Sequence, residues 1–359
     1  MSGAQPNAED VRSLALALGF DLVGIADPRP SSETRRFRDW IGAGHAGSMH
    51  YLAEGVEKRV DPRLVMEGVR SIVCVGLVYD PGARGPERPG SALIARYAGG
   101  EDYHGVVAER LRALALALEA LARRPVRSVA HVDTGPVLER ALAARAGLGW
   151  IGKNACLIHP RLGSFLFLAE LFTDLPLDFD TPIGDHCGSC RACLDACPTG
   201  AFPEPGVVDS RRCISYTTIE LEGSIAEPLR EGHGTRVFGC DICQDVCPWN
   251  VRTRREVPAD TKGLRSRLAP RRSWRAPDLA WILTLGEQAW RAATRGTALR
   301  RAKRRSLLRN ALIAAGNSGD AGLLPLVRAH ASAGDPCLEE HARWALVRLE
   351  RTGSDGSPE

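Results

Sequence analysis

Cys187-Gly-Ser-Cys190-Arg-Ala-Cys193-Leu-Asp-Ala-Cys197-Pro198 and Cys240-Asp-Ile-Cys243-Gln-Asp-Val-Cys247-Pro248 decide how the middle of this chain folds. The first run has the spacing C-x2-C-x2-C-x3-C-P, which in bacterial ferredoxins wraps the backbone around a [4Fe–4S] cluster. Where two such runs occur, the fourth cysteine of each ligates the other cluster. Cys187, Cys190, Cys193 and Cys247 therefore form one predicted ligand set. The second run lacks a first cysteine two residues upstream, and Cys213 is the nearby thiol free to fill that place. The other set is then Cys197, Cys213, Cys240 and Cys243. A proline after the last cysteine of each run ends the local turn, because it has no amide to donate. Structural zinc needs four ligands in C-x2–4-C pairs and has no use for two interlocked runs. Disulfides belong to exported proteins, and nothing here marks export.

Around this centre the composition is that of a globular protein. The 359 residues are 44% hydrophobic and 25% charged, enough for two or three domains. The N-terminus has neither the basic nor the apolar segment of a signal peptide. Leu111–Ala122 is too short and too charged to span a bilayer, so a cytoplasmic location without a membrane partner is expected. Charge is unevenly spread. Between residues 251 and 309 there are 17 Lys/Arg against 4 Asp/Glu, while the whole chain carries only +4. Such a basic stripe suits a polyanion, or else a set of solvated helix faces. Interspersed Trp274, Trp281 and Trp290 would suit RNA, whose unpaired bases stack on aromatic and guanidinium planes.

Periodicity divides the chain as an α+β multidomain protein. Residues 1–175 alternate helices and strands as an α/β layer, 176–250 hold the clusters, and 251–295 form a basic connecting segment. Residues 296–350 pair helices in a HEAT-like unit, and 351–359 read as a disordered tail. Within the first domain, Asn7 and Asp10 predict a capping box. Ser71–Tyr79 reads as a strand buried on both faces, Pro81–Gly90 as a loop, Glu101–Arg123 as a long helix and Pro136–Ala146 as another. Asp133 lies where a strand gives way to that last helix. It reads either as a chemical group facing a crevice at the strand ends or as part of a plain helix cap, with Pro136 in the first turn. Gly147-Leu-Gly-Trp-Ile-Gly-Lys-Asn154 is not a phosphate loop, because it stands between a helix and a strand in the wrong order. It reads as a bare turn, or less readily as a close approach to a flat ligand. The nine histidines show no metal-site spacing, and His104 reads as an ordinary residue. Cys74 and Cys337 read as buried thiols, while Cys156 could also touch a ligand.

Several stretches together resemble the epoxyqueuosine reductase family, cobalamin-dependent iron–sulfur enzymes of queuosine biosynthesis in tRNA. They are Arg96-Tyr-Ala-Gly-Gly-Glu-Asp-Tyr-His104, Val132-Asp-Thr-Gly-Pro136, Gly149-Trp-Ile-Gly-Lys-Asn154, the cysteine runs and the helical C-terminus. The resemblance covers roughly residues 8–350. It implies cobalamin on the N-terminal domain and two [4Fe–4S] clusters that relay electrons from an external donor. It also implies that Asp133 protonates the departing epoxide oxygen. Arg59, Tyr97, Asp133, Lys153 and Asn154 are the implied cofactor-pocket residues. The anticodon stem-loop of tRNA is the implied partner, held by the basic segment and the HEAT-like unit, with the protein a monomer. A corrinoid reductive dehalogenase shares the cobalamin–ferredoxin layout, but it would have no use for the basic segment. A two-cluster electron carrier without catalysis would leave the first 175 residues unexplained.

Overall fold

The computed structural model describes residues 5–79, 88, 90–251 and 255–354. Most of the Pro81–Gly90 loop, Arg252, Arg254 and the last five residues of the expected tail lie outside these.

The N-terminal region runs α1 (Ala8–Ala17), β1 (Leu22–Ala26), α2 (Thr34–Gly42), α3 (Val56–Val60), β2 (Ser71–Val78), β3 (Leu93–Ile94), α4 (Tyr103–Ala122), β4 (Ser128–His131), α5 (Glu139–Arg145), β5 (Trp150–Ile151), β6 (Leu157–Ile158) and β7 (Leu166–Thr173). Asn7 and Asp10 do close the capping box on α1. The main sheet has the order β1-β2-β7-β4, and every pairing in it is antiparallel. The crevice rule for open parallel sheets therefore does not apply, which corrects the reading of Asp133 at a strand-end crevice. β2 is nonetheless buried along its whole length. Helices α1 and α4 cover one face through Val11, Ala15, Leu111 and Leu114. Helix α5 covers the other through Leu142 and Ala143. A continuous apolar strand needs cover on both sides, and antiparallel topology can supply it.

The cysteine region contributes only short elements: α6 (Ala192–Asp195), α7 (Ile214–Ile219), α8 (Glu227–Arg230), β8 (Arg236–Phe238) and α9 (Ile242–Asp245). β8 pairs in parallel with β3, stitching this region to the first.

The remainder is helical: α10 (Leu264–Leu268), α11 (Arg272–Arg275), α12 (Leu279–Leu283), α13 (Glu287–Thr294), α14 (Arg304–Ser318), α15 (Leu324–His330) and α16 (Pro336–Ser354). The 251–295 segment is thus more than a connector. Trp274 is fully buried and Trp290 nearly so, both within the core that α12, α14 and α16 share with Val237 and Phe238 of β8. The expected stacking surface for RNA is corrected here, since two of its three tryptophans are core and Trp281 packs edge-on against Trp274. Helix α14 is buried from Ser306 to Gly316, so the last three helices dock on the cluster region. Helix α16 continues to Ser354, four residues into the expected tail.

Candidate active site and cluster-binding region

Asp133 stands at the start of a loop between β4 and α5, and its backbone is left-handed with φ 58°. That conformation costs an L-residue about 1–2 kcal/mol and persists only where surrounding contacts fix it. Helix α5 begins at Glu139 with Leu138 as its N-cap and no side-chain cap bond. The helix-cap alternative therefore falls, and Pro136 lies outside the first turn. The Asp133 carboxylate is gripped instead from α4. Tyr103 donates its hydroxyl to Oδ2 at 2.7 Å, and His104 Nε2 lies 3.1 Å from the same oxygen. His104 Nδ1 in turn meets Asp102 Oδ1 at 2.7 Å, while Asp102 also caps α4 through the His104 amide.

Two ionised carboxylates can only accept, so both ring nitrogens between them must donate. Asp102 first and Asp133 second hold His104 up at about 9. Burial pushes Asp133 upward, but the bonds from His104 and Tyr103 more than reverse this and leave it below the usual carboxylate range. The resting proton of the pair therefore sits on the imidazole. Tyr103 is fixed by stacking on Phe167 at 4.2 Å, and burial together with Asp133 keeps its phenol protonated. Sequence reasoning passed over His104. Its signal was present in Asp102-Tyr-His104, two chemically compatible groups one residue apart at a helix start, but the third member lies 29 residues away.

Arg59 and Tyr97 gather on this side of the molecule. Arg59 donates to the carbonyls of Gly135 and Tyr51, and its buried Nε finds no partner among the described residues. Tyr97 packs edge-on against Tyr103 and Tyr79 and tilts over Phe238. Opposite, Arg301 lies over the Tyr51 ring at 5.8 Å and pairs with Glu220 at 2.8 Å. The Asp102 amide bonds the Gly296 carbonyl at 2.9 Å, so the basic segment abuts the acid site.

Lys153 and Asn154 occupy a different place. Lys153 Nζ donates to the carbonyls of Gly188 and Cys190 at 2.5 and 2.9 Å. Asn154 Nδ2 donates to the Cys243 carbonyl at 3.3 Å. Both tie the cysteine loops to the first region. The glycines before them serve chain packing: a Cβ on Gly149 would stand 2.2 Å from the Ile158 carbonyl oxygen. The bare-turn reading accounts for them.

The thiols fall into two neighbourhoods. Cys247 feels Cys187 and Cys193 electrostatically, and Trp150 Nε1 donates to Cys187 Sγ at 3.5 Å. Cys213 feels Cys197, and Cys243 feels Cys240 and Cys213. Short helices α6 and α9, one from each run, pack together. Burial pushes Cys240 and Cys247 up to about 11; such thiols become ligands only where a metal takes up the charge. Among the described residues no three Cys, His, Asp or Glu converge as a single ion requires. A cubane is held at its corners and asks for wider spacing. Cys156 is an additional thiol beside Cys243. Cys74 and Cys337 are buried, as expected.

A family model for a 4Fe-4S double-cluster binding domain matches residues 186–250, and one described as epoxyqueuosine reductase QueG matches residues 59–134. The epoxyqueuosine reductase of Gloeobacter violaceus is 44% identical over 90% of this chain and 99% of its own length. That of Escherichia coli is 37% identical over 96% and 90%. A crystal structure of epoxyqueuosine reductase with an epoxyqueuosine-modified tRNA-Tyr stem loop superposes with TM-score 0.86 at 29% identity, covering 98% of this chain and 94% of that one. A Bacillus subtilis structure, with its catalytic aspartate loop swung out of the active site, superposes at 0.85 and 28% identity, covering 98% of this chain and 95% of that one. The chain belongs to the epoxyqueuosine reductase family.

Proposed function

We infer that this chain reduces epoxyqueuosine to queuosine in the anticodon loop of tRNA. The conversion breaks both C–O bonds of an epoxide, forms an alkene and releases water, consuming two electrons and two protons. The observation that carries the reading is the hydrogen-bonded chain Asp102–His104–Asp133, which stores a proton where a departing oxygen needs one. As negative charge grows on that oxygen, His104 Nε2 gives its proton to Asp133, which hands it on to the oxygen. Tyr103 keeps Oδ2 aimed throughout. General acids placed in this way contribute roughly 10²–10⁴-fold to rate.

Cobalamin is the cofactor the family implies, and it supplies a strongly reducing cobalt centre able to engage carbon. His104 would not be among the residues that hold it, because both of its ring nitrogens are engaged by Asp102 and Asp133. The donor set that fits beside it is Arg59, with its unsatisfied Nε, and Tyr97, which lies between the Asp133 site and Phe238 near the second thiol group. Lys153 and Asn154 fit as anchors of the cluster loops. The eight cysteines fit two [4Fe–4S] clusters. The exposure of Cys190 supports electron entry from an external donor at the first cluster.

For tRNA the footprint is narrower than composition implied. Arg265, Arg267, Arg291, Arg301, Lys303 and Arg305 are committed to ion pairs, and Arg309 is buried against backbone carbonyls. Lys262, Arg272, Arg275, Arg295 and Arg300 are exposed. Arg271 bridges α11 to the carbonyls of Arg295 and Gly296, so four of these five lie in one region, next to Asp102. We assign the stem-loop to this region and to the HEAT-like unit. No helix among the described residues is long and apolar enough to cross a membrane; a cytoplasmic monomer is the setting proposed.

The test is conversion of epoxyqueuosine-bearing tRNA by anaerobically purified protein given cobalamin and a strong reductant, read by mass spectrometry of the nucleosides. Wild type should yield queuosine. Asp133→Asn should lose about 10²–10⁴-fold in single-turnover rate with iron content and tRNA affinity intact. Persistence of the epoxide with wild-type protein overturns the reading.

A further inference from the structure

Asp133 is held by its main chain as well as by its carboxylate. Its amide donates to Glu139 Oε1 at 2.5 Å, six residues along the chain. Glu139 lies in the first turn of α5, where an acidic residue ordinarily complements the free amides of its own helix. Here it reaches backward and binds the one residue of the loop whose backbone is left-handed. Nothing in the protonation step uses Glu139, and a surface acid would not need the setting it has. Beneath it on β7 lies Glu170, fully buried, with neither carboxylate oxygen bonded among the described residues. Cys74 on β2 is opposite Glu170 in register, as is His131 on β4.

We propose that Glu139 is the positioning residue of the Asp133 loop. Its carboxylate, when ionised, clamps the Asp133 amide and sustains the left-handed turn that aims the acid; when protonated, it holds that turn more loosely, so the loop responds to pH.

A charged acceptor holds an amide roughly twice as strongly as a neutral one, so gaining a proton weakens the clamp. Burial first, and the neighbouring Asp133 second, push Glu139 up to about 7. The clamp is therefore closed above that value and opens as pH falls through it. The charged groups facing Glu139 are Asp133 on its loop, Arg140 on its own helix, His104 on α4 and Arg59 on α3. From the sheet it faces Glu170 and Cys74, both of which burial holds in their neutral forms. Tyr103 faces it as a protonated phenol. Glu139 is thus the group of this set that changes charge near neutrality.

This inference rests on Asp133 being the acid, and the experiment separates the two. Amide hydrogen exchange of the peptide covering residues 133–138 is measured in full-length wild type, Glu139→Gln and Glu139→Ala, corrected for intrinsic rates. In parallel, kcat and KM are measured for tRNA. Wild-type protection should fall about tenfold between about pH 8 and about pH 6. Glu139→Gln should be flat with pH at the reduced protection of low-pH wild type, because a carboxamide oxygen is a neutral acceptor that does not titrate. Glu139→Ala should lose protection at both pH values and lose kcat about tenfold with KM unchanged, a loss that Gln restores in part. Equal protection in Ala and wild type, a pH-flat wild type, or a Gln variant as exposed as Ala would overturn the clamp. If protection behaves as expected while Glu139→Ala keeps full kcat, the clamp stands and Asp133 is not the acid.

Discussion

The cysteine region and the acid site are built in opposite ways. In the cysteine region, ligands two or three residues apart are presented by single turns, and α6 and α9 are each only four residues long. Geometry there is a property of short sequence, and the spacing states it. The acid site is assembled from Asp102 and His104 at the start of α4, Asp133 after β4, and Glu139 at the start of α5. None of these is a neighbour of the next in sequence by a repeating interval. What joins them is the packing of α4 and α5 on opposite faces of one antiparallel sheet. Local spacing can specify a metal cage, whereas a proton relay has to wait for tertiary structure.

The largest effect should come from breaking the proposed cage at the ligand that lies outside both runs. Cys213 is 27 residues from Cys240 and belongs to neither run. Cys213→Ala should halve the iron content, roughly from two clusters to one, and abolish conversion of the epoxide. Cys156→Ala, which removes another thiol neighbouring Cys243, should keep both clusters. Iron analysis and electron paramagnetic resonance of the reduced proteins decide between them. If Cys156 costs a cluster and Cys213 does not, elimination along the sequence chose the wrong thiol.

A smaller effect sharpens the other side of the comparison. Asp102 is the first cause of the raised His104 value. The pair carries its proton below about pH 9 and loses it above, so the wild-type rate should decline on that alkaline limb, separately from any decline on the acid side where the Glu139 clamp loosens. Asp102→Asn still caps α4 but withdraws the negative charge, and the limb should fall toward the ordinary histidine value of about 6.5. Single-turnover rates should then drop roughly tenfold at about pH 8 and change little at about pH 6. A limb that stays in place would mean that the transferred proton does not come from His104.

The same contrast explains what could be read in advance. The capping box at Asn7, the strand at Ser71, the long helix and the two cysteine runs of a double-cluster domain follow from spacing and periodicity, which are local. Asp133 was visible only as a choice between cap and acid, because its left-handed backbone and its grip by Tyr103 belong to the folded chain. Glu170 was hidden inside an apolar run, Leu166–Thr173, where one carboxyl barely disturbs the pattern yet ends fully buried. The tryptophans of the basic segment looked like a stacking surface because hydrophobic residues among arginines carry no sign of which face they turn inward.

Arg300 and Arg301 put the narrowest test to that limit. They are adjacent, identical in kind and equally part of the basic stripe, so composition cannot tell them apart. In the structure both are exposed, but Arg301 is bonded twice to Glu220, at 2.9 and 2.8 Å, while Arg300 forms no ion pair among the described residues. A cation already neutralised by a carboxylate releases few counterions from nucleic acid, whereas a solvated one contributes nearly its full share. Arg300→Ala should therefore weaken binding of the stem-loop a few-fold and flatten the log K against log salt slope by about 0.7–0.9. Arg301→Ala should leave that slope nearly unchanged and act on turnover instead, since its charge reaches Asp133 and its guanidinium covers Tyr51. Equal changes in slope for the two variants would restore the undivided stripe as the footprint and make the ion pair with Glu220 irrelevant to binding.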